Sequence, residues 1–186
     1  DLFVQLMGGN INVESSQLGT NFTYKIPYKI AKKRVLENKN LASPIKELRI
    51  LMAEDDQLNG QLFRDLIQNT GNNVIVDWVV NGEKVLEKVI SNHYDIILMD
   101  IEMPIKNGFE TSSEIRKSKN AKINNIPIIA MTAHLVEDVL ERCYQNGMND
   151  CISKPFQIEI LYKKISETIK NIDLGKSISS NNKAKY

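Results

Sequence analysis

Apolar and polar positions follow two different rhythms along this chain, and the change between them falls near residue 48. Before it, Asn10-Ile11-Asn12-Val13-Glu14 and Asn21-Phe22-Thr23-Tyr24-Lys25-Ile26 alternate residue by residue, the period of a strand with one covered face. Ser15 to Thr20, with Gly19, separates them and predicts an antiparallel hairpin. Its apolar face of Ile11, Val13, Phe22, Tyr24 and Ile26 is too small to be stable alone, so it is expected to belong to a larger sheet. Leu2 to Met7 reads as the end of a helix, stopped by Gly8-Gly9. After residue 48 the strands become short continuous apolar runs: Leu48–Ala53, Val74–Val80, Tyr94–Met99, Ile126–Met131 and Asp150–Ser153. Helix-period segments lie near 57–69, 82–92, 107–118, 135–146 and 157–171, the last with an apolar stripe at Ile158, Leu161, Ile165 and Ile169. Strands apolar on both faces, each followed by a helix, predict a parallel sheet covered on both sides.

Composition divides the rest. Residues 31–47, following Pro27 and Lys29 and carrying Lys32, Lys33, Arg34, Lys39 and Pro44, read as a linker; a basic docking site is the other reading of that charge run. Residues 172–186 are Ser, Asn and Lys with little apolar content and are expected to be a disordered tail. At 186 residues the chain has room for one full core, assigned to residues 48–171. A net charge of +1 supplies no electrostatic footprint for nucleic acid or an anionic membrane surface. Cys143 and Cys151 lack CxxC spacing, which argues against a zinc site or disulfide framework and fits a reducing cytosol. No apolar run approaches the roughly 20 residues needed to cross a bilayer. The chain begins without Met inside a helix-like stretch and is read as an excerpt of a longer protein, which leaves a membrane anchor elsewhere in the parent open.

In an open parallel sheet, ligands bind beyond the carboxyl ends of the strands. The residues expected there are Glu54-Asp55-Asp56 after the first strand, Asp100 after the third, Thr132 after the fourth and Lys154-Pro155 after the fifth. Converging carboxylates repel and raise at least one pKa unless a cation lies among them. A hard ion such as Mg2+ suits an all-oxygen donor set. Asp100 would then serve as metal ligand and as nucleophile toward a phosphoryl group, with Lys154 and Thr132 meeting the charge on the transferring oxygens. Each residue also has a plainer reading: Asp55 or Asp56 as a helix cap, Thr132 as a cap, Lys154 as a surface lysine.

Taken together, Ile50-Leu51-Met52-Ala53-Glu54-Asp55-Asp56, Ile97-Leu98-Met99-Asp100-Ile101-Glu102-Met103-Pro104, Ile129-Ala130-Met131-Thr132-Ala133 and Ser153-Lys154-Pro155-Phe156 resemble the signature blocks of response-regulator receiver domains. The resemblance implies a flavodoxin-like (βα)5 doubly wound parallel sheet with strand order 2-1-3-4-5. It implies Asp100 as phosphoacceptor, Mg2+ held by Glu54, Asp55, Asp100 and the backbone carbonyl of Glu102, Thr132 sensing the phosphoryl group and Lys154 pairing with it. Gly108 matches the turn glycine after the acceptor loop. One position departs: where the family usually has Tyr or Phe, this chain has Cys151, which puts output through an aromatic switch in question and reads best as a buried inert thiol.

Residues 1–30, through Leu6-Met7-Gly8-Gly9-Asn10-Ile11-Asn12-Val13-Glu14-Ser15 and Gly19 to Pro27, resemble the closing stretch of a histidine-kinase ATP-binding domain. The pairing implies a fragment of a hybrid sensor histidine kinase in the cytoplasm, receiving phosphate from a phosphohistidine on a kinase dimerisation or histidine-phosphotransfer domain. ATP motifs are absent, so the segment itself should carry phosphoacceptor chemistry without an ATP site. His93 and His134 are the only histidines; His93 is expected to open a strand, and His134, two places past Thr132, to modulate dephosphorylation. A haloacid-dehalogenase-type phosphatase shares the residue types but orders them differently, with the nucleophile after the first strand. A degenerate receiver acting only as an interaction module is a third reading, opposed by the complete acceptor set.

Overall fold

The computed structural model describes residues 4–5, 8–17, 19–27, 47–69 and 73–173, in a chain that divides into two units, Asp1–Ser43 and Pro44–Tyr186. The expected linker lies outside the described residues apart from Glu47, as does the expected tail from residue 174 onward.

In the first unit the helix stop is present at Gly8-Gly9, whose N–H groups donate to Gln5 O and Val4 O at 2.9 and 2.8 Å. Strands β1 (Asn10–Ser16) and β2 (Gly19–Lys25) pair antiparallel, with Ile11 opposite Tyr24 and Val13 opposite Phe22. The ladder runs further than alternation predicts, through Ser15–Thr20 to Ser16–Gly19, because the Ser15 and Thr20 hydroxyls lie 2.9 Å apart and extend the pairing through polar positions. Val13, Phe22 and Tyr24 are exposed, as expected of a face without its covering layer.

The second unit contains β3 (Leu48–Ala53), α1 (Gln57–Gln68), β4 (Val74–Val79), α2 (Gly82–Ser91), β5 (Ile96–Asp100), α3 (Gly108–Arg116), α4 (Ala121–Asn124), β6 (Ile128–Thr132), α5 (Glu137–Gln145), β7 (Asp150–Ser153) and α6 (Ile158–Asp173). All five strands are parallel in the order β4-β3-β5-β6-β7, the expected 2-1-3-4-5 order of the flavodoxin-like fold. The period-2 geometry of a strand sends alternate side chains to opposite faces. Leu48, Ile50 and Met52 of β3 therefore pack with Phe63 and Ile67 of α1 and Leu161 and Ile165 of α6. Leu51 and Ala53 pack with Val85 and Val89 of α2, Phe109 and Ile115 of α3 and Cys143 of α5. The predicted stripe on α6 is its buried face.

Three expectations shift. The runs predicted at Tyr94–Met99 and Ile126–Met131 become strands at Ile96–Asp100 and Ile128–Thr132. Pro127 has no N–H to give a ladder, and the pairing continues instead to Asp100–Met131 and Thr132–Ser153. His93 accordingly lies before β5 rather than opening it, and is exposed. Residues 121–124, between the helical segment expected near 107–118 and the strand run expected from Ile126, form α4 with Asn120 as its N-cap; one turn is too short to leave a periodic trace.

At the amino-terminal edge of the sheet Arg116 joins four segments. Its Nε donates to Gly147 O at 2.8 Å, Nη1 to Asn124 O and Ile126 O at 2.7 and 2.9 Å, and Nη2 to Asn149 Oδ1 at 2.9 Å. Burial lowers its pKa to about 10, which leaves it charged at neutral pH. Removing it strips buried carbonyls of a charged donor. Arg116→Met is expected to cost about 2–4 kcal/mol of stability, measured by urea unfolding.

Candidate functional site

The order of the strands decides where a site can form. From β3 the chain moves to β4 on one side and then crosses to β5 on the other, so the connections leaving β3 and β5 diverge and open a crevice at their carboxyl ends. Glu54 and Asp55 leave the end of β3, Asp100 is the last residue of β5, Thr132 is the last of β6, and Lys154 follows β7. Carboxylate oxygens of Glu54, Asp55 and Asp100 lie within 4.8 Å of one another. Lys154 Nζ donates to Asp100 Oδ2 at 2.7 Å and to Glu54 Oε2 at 2.9 Å. The Lys154 N–H also donates to Thr132 O at 2.6 Å, which ties β6 to the start of the Lys154-Pro155 turn.

The acids have separate local roles. Asp56 is the N-cap of α1 and accepts from the Asn59 N–H at 2.8 Å. The capping reading of the acidic cluster therefore applies to Asp56, and Asp55 stands exposed beside the buried pair. Glu102 turns its side chain to solvent, while its N–H approaches Asp100 Oδ1 at 3.3 Å. Gly108 permits the loop to return against the acceptor strand: a Cβ there would sit 2.3 Å from Asp100 O. Asn107 and Glu110 then form a capping box that starts α3. Earlier in the same loop, between Asp100 and Gly108, Ile105, a β-branched residue, holds φ of 70°, a left-handed conformation that costs about 1–3 kcal/mol. The Thr132 hydroxyl does not reach the acids. It donates to His134 O at 3.1 Å and accepts from His134 N at 3.2 Å, so it caps no helix; α5 begins at Glu137 without a side-chain cap. Cys151 is buried opposite Ala130, and burial pushes its thiol up to about 12, the behaviour of an inert core residue.

Glu54 and Asp100 are 1% and 4% exposed, so both charges are almost cut off from water. Burial raises the pKa of each, and the neighbouring charges add to it, Asp100 acting on Glu54 and Asp55 on Asp100; the Lys154 ammonium opposes both shifts. Burial alone would lower Lys154, but its bonds to Asp100 and Glu54 outweigh that and raise it. One ammonium among three acids leaves an excess of negative charge facing a set of hard oxygen donors. Such a set fits a divalent hard cation, and Asp55, exposed beside the buried pair, can turn to one. Sequence reasoning missed two contributors: Asn59, whose Nδ2 lies 3.5 Å from Glu54 Oε1, and Trp78, whose Nε1 donates to Glu54 O at 2.8 Å. Neither carries a motif, because both act through contacts between elements.

An acid whose folded pKa exceeds its unfolded value loses stability as pH rises above the unfolded value. For Asp100 that ordinary value is 3.8. Asp100→Asn, whose amide approximates the protonated acid, is expected to raise the urea midpoint in EDTA, by an amount that is small near pH 4 and grows toward pH 7. Denaturation across that range checks it; a variant less stable than wild type at pH 7 would contradict the electrostatic account.

Comparisons with known proteins place this geometry. The family model described as response regulator receiver domain matches residues 50–166. Hybrid signal transduction histidine kinase K of Dictyostelium discoideum is 32% identical over 180 residues, 90% of this chain and 15% of that protein. Sensor protein EvgS of Escherichia coli is 30% identical over 168 residues, 88% of this chain and 14% of that protein. The chain thus spans about a seventh of the length of these relatives. Among solved structures, the receiver domain of a sensor histidine kinase from Pseudomonas aeruginosa, which has a magnesium ion coordinated in its active-site cleft, is 30% identical, with a TM-score of 0.60 over 67% of this chain and 99% of that one.

Proposed function

The chain belongs to the response regulator receiver domain family, and from that premise we propose that Asp100 accepts a phosphoryl group from a phosphohistidine donor in a magnesium-dependent phosphorelay. The observation that carries the proposal is the meeting of Glu54, Asp55, Asp100 and Lys154 at one point of the sheet edge. Glu54, Asp55, Asp100 and the backbone carbonyl of Glu102 would hold Mg2+, which when bound supplies positive charge to the transferring oxygens. An Asp100 carboxylate oxygen forms the new bond to phosphorus as the phosphorus–nitrogen bond to the donor imidazole breaks, its electron pair returning to the ring nitrogen. Lys154 already contacts the acceptor carboxylate and lies within reach of an added phosphoryl oxygen. Thr132 would exchange its bond to His134 O for one to that group.

The kinase matches cover 88–90% of this chain, more than the receiver unit can hold, so they run into the first unit. This supports reading residues 1–30 as the end of a kinase ATP-binding domain and the parent as a hybrid sensor histidine kinase. The donor would be a kinase dimerisation or histidine-phosphotransfer domain. Two free, buried cysteines accord with a cytoplasmic setting.

Radiolabelled acetyl phosphate with Mg2+ is expected to label the chain. Asp100→Asn should abolish the label, EDTA should prevent it, and Lys154→Met should slow it by about 10²-fold. Label persisting in Asp100→Asn would place the acceptor elsewhere.

A further inference from the structure

Gly60 stands in the first turn and a half of α1, where glycine costs about 1 kcal/mol relative to alanine. The reason is the ring of Trp78, the single tryptophan of the chain: a Cβ on Gly60 would lie 2.2 Å from Trp78 Cε2 and Cζ2. The indole lies against the backbone of α1 and directs its N–H to the Glu54 carbonyl at 2.8 Å. That carbonyl is the first beyond the end of β3. The preceding ladder closes with Glu54 N donating to Val79 O at 3.0 Å, and the indole supplies the donor for the Glu54 carbonyl. On the far side of Asp55, the Asp56 side chain is fixed by capping α1. The turn that carries Glu54 and Asp55 is thus pinned at both ends, with Asp55 free between them.

We propose that Trp78, admitted by Gly60, is a positioning residue for the magnesium site: its indole N–H holds the Glu54 carbonyl so that the Glu54 and Asp55 carboxylates meet Asp100. The inference rests on the proposed function, since it concerns the ion that site would take. The Trp78 ring also packs against the apolar layer beneath α1 and α6, so packing accounts for the ring, and the indole N–H is the part directed at the turn that carries Glu54 and Asp55. The role is separable from packing, because phenylalanine keeps a ring over Gly60 and lacks the N–H.

Calorimetric titration of the whole chain with MgCl2 tests it. Trp78→Phe is expected to weaken magnesium binding about fivefold, the value of one hydrogen bond. Gly60→Ala retains the tryptophan but displaces its ring, and is expected to weaken binding comparably. Stability in EDTA, measured alongside, registers the packing and the lost bond in the metal-free protein; a merely structural role would lower it and leave the magnesium affinity unmoved. Both variants binding within twofold of wild type would overturn the assignment while leaving the phosphoacceptor reading intact. Wild type showing no magnesium binding would instead remove the phosphoacceptor reading, and this inference with it.

Discussion

Lys154 reaching both Glu54 and Asp100 is the contact on which the arrangement depends. Without it, two nearly dry carboxylates and a third close by would face one another with no opposite charge among these side chains to offset their repulsion. An ion pair in such surroundings contributes little net stability, because desolvation cancels much of the attraction. Its value is arrangement: β3, β5 and β7 contribute one side chain each, and a lysine at the end of β7 can satisfy both acids only if all three strands end at one level. The excess negative charge left over is what would attract a divalent ion, whose positive charge would in turn offset that of an incoming phosphoryl group.

The two edges of the sheet divide the work. At the amino-terminal edge, four hydrogen bonds tie Arg116 to carbonyl and amide oxygens of α4, the segment before β6 and the segment before β7. The guanidinium is a brace. At the carboxyl edge the backbone is held in less comfortable states, with Ile105 in the left-handed region and like charges buried together. Strain stored in the reactive edge is sustained by satisfied bonding and dense packing elsewhere.

Cys151, where the family usually has an aromatic ring, is part of the core in this structure. Its thiol is buried opposite Ala130, and that burial makes it hard to ionise. The Thr132 hydroxyl is bonded on both sides to the His134 backbone, which links any change at that threonine to the segment leading into α5.

Much of this was legible from residue types and order. Continuous apolar runs declared a buried parallel sheet, and the acids, threonine and lysine were placed at strand ends because connections in such a sheet leave from there. Local chemistry alone could not assign Asp56 to capping while leaving Asp55 free, extend β5 and β6 by a residue into Asp100 and Thr132, or detect the single turn of α4. Least visible were contacts between distant segments: Lys154 with Glu54, the Arg116 brace, and Trp78 over Gly60. A period in sequence reports which way a side chain faces. Distances between residues on different strands follow from strand order and register, which are settled only when both faces of the sheet are packed.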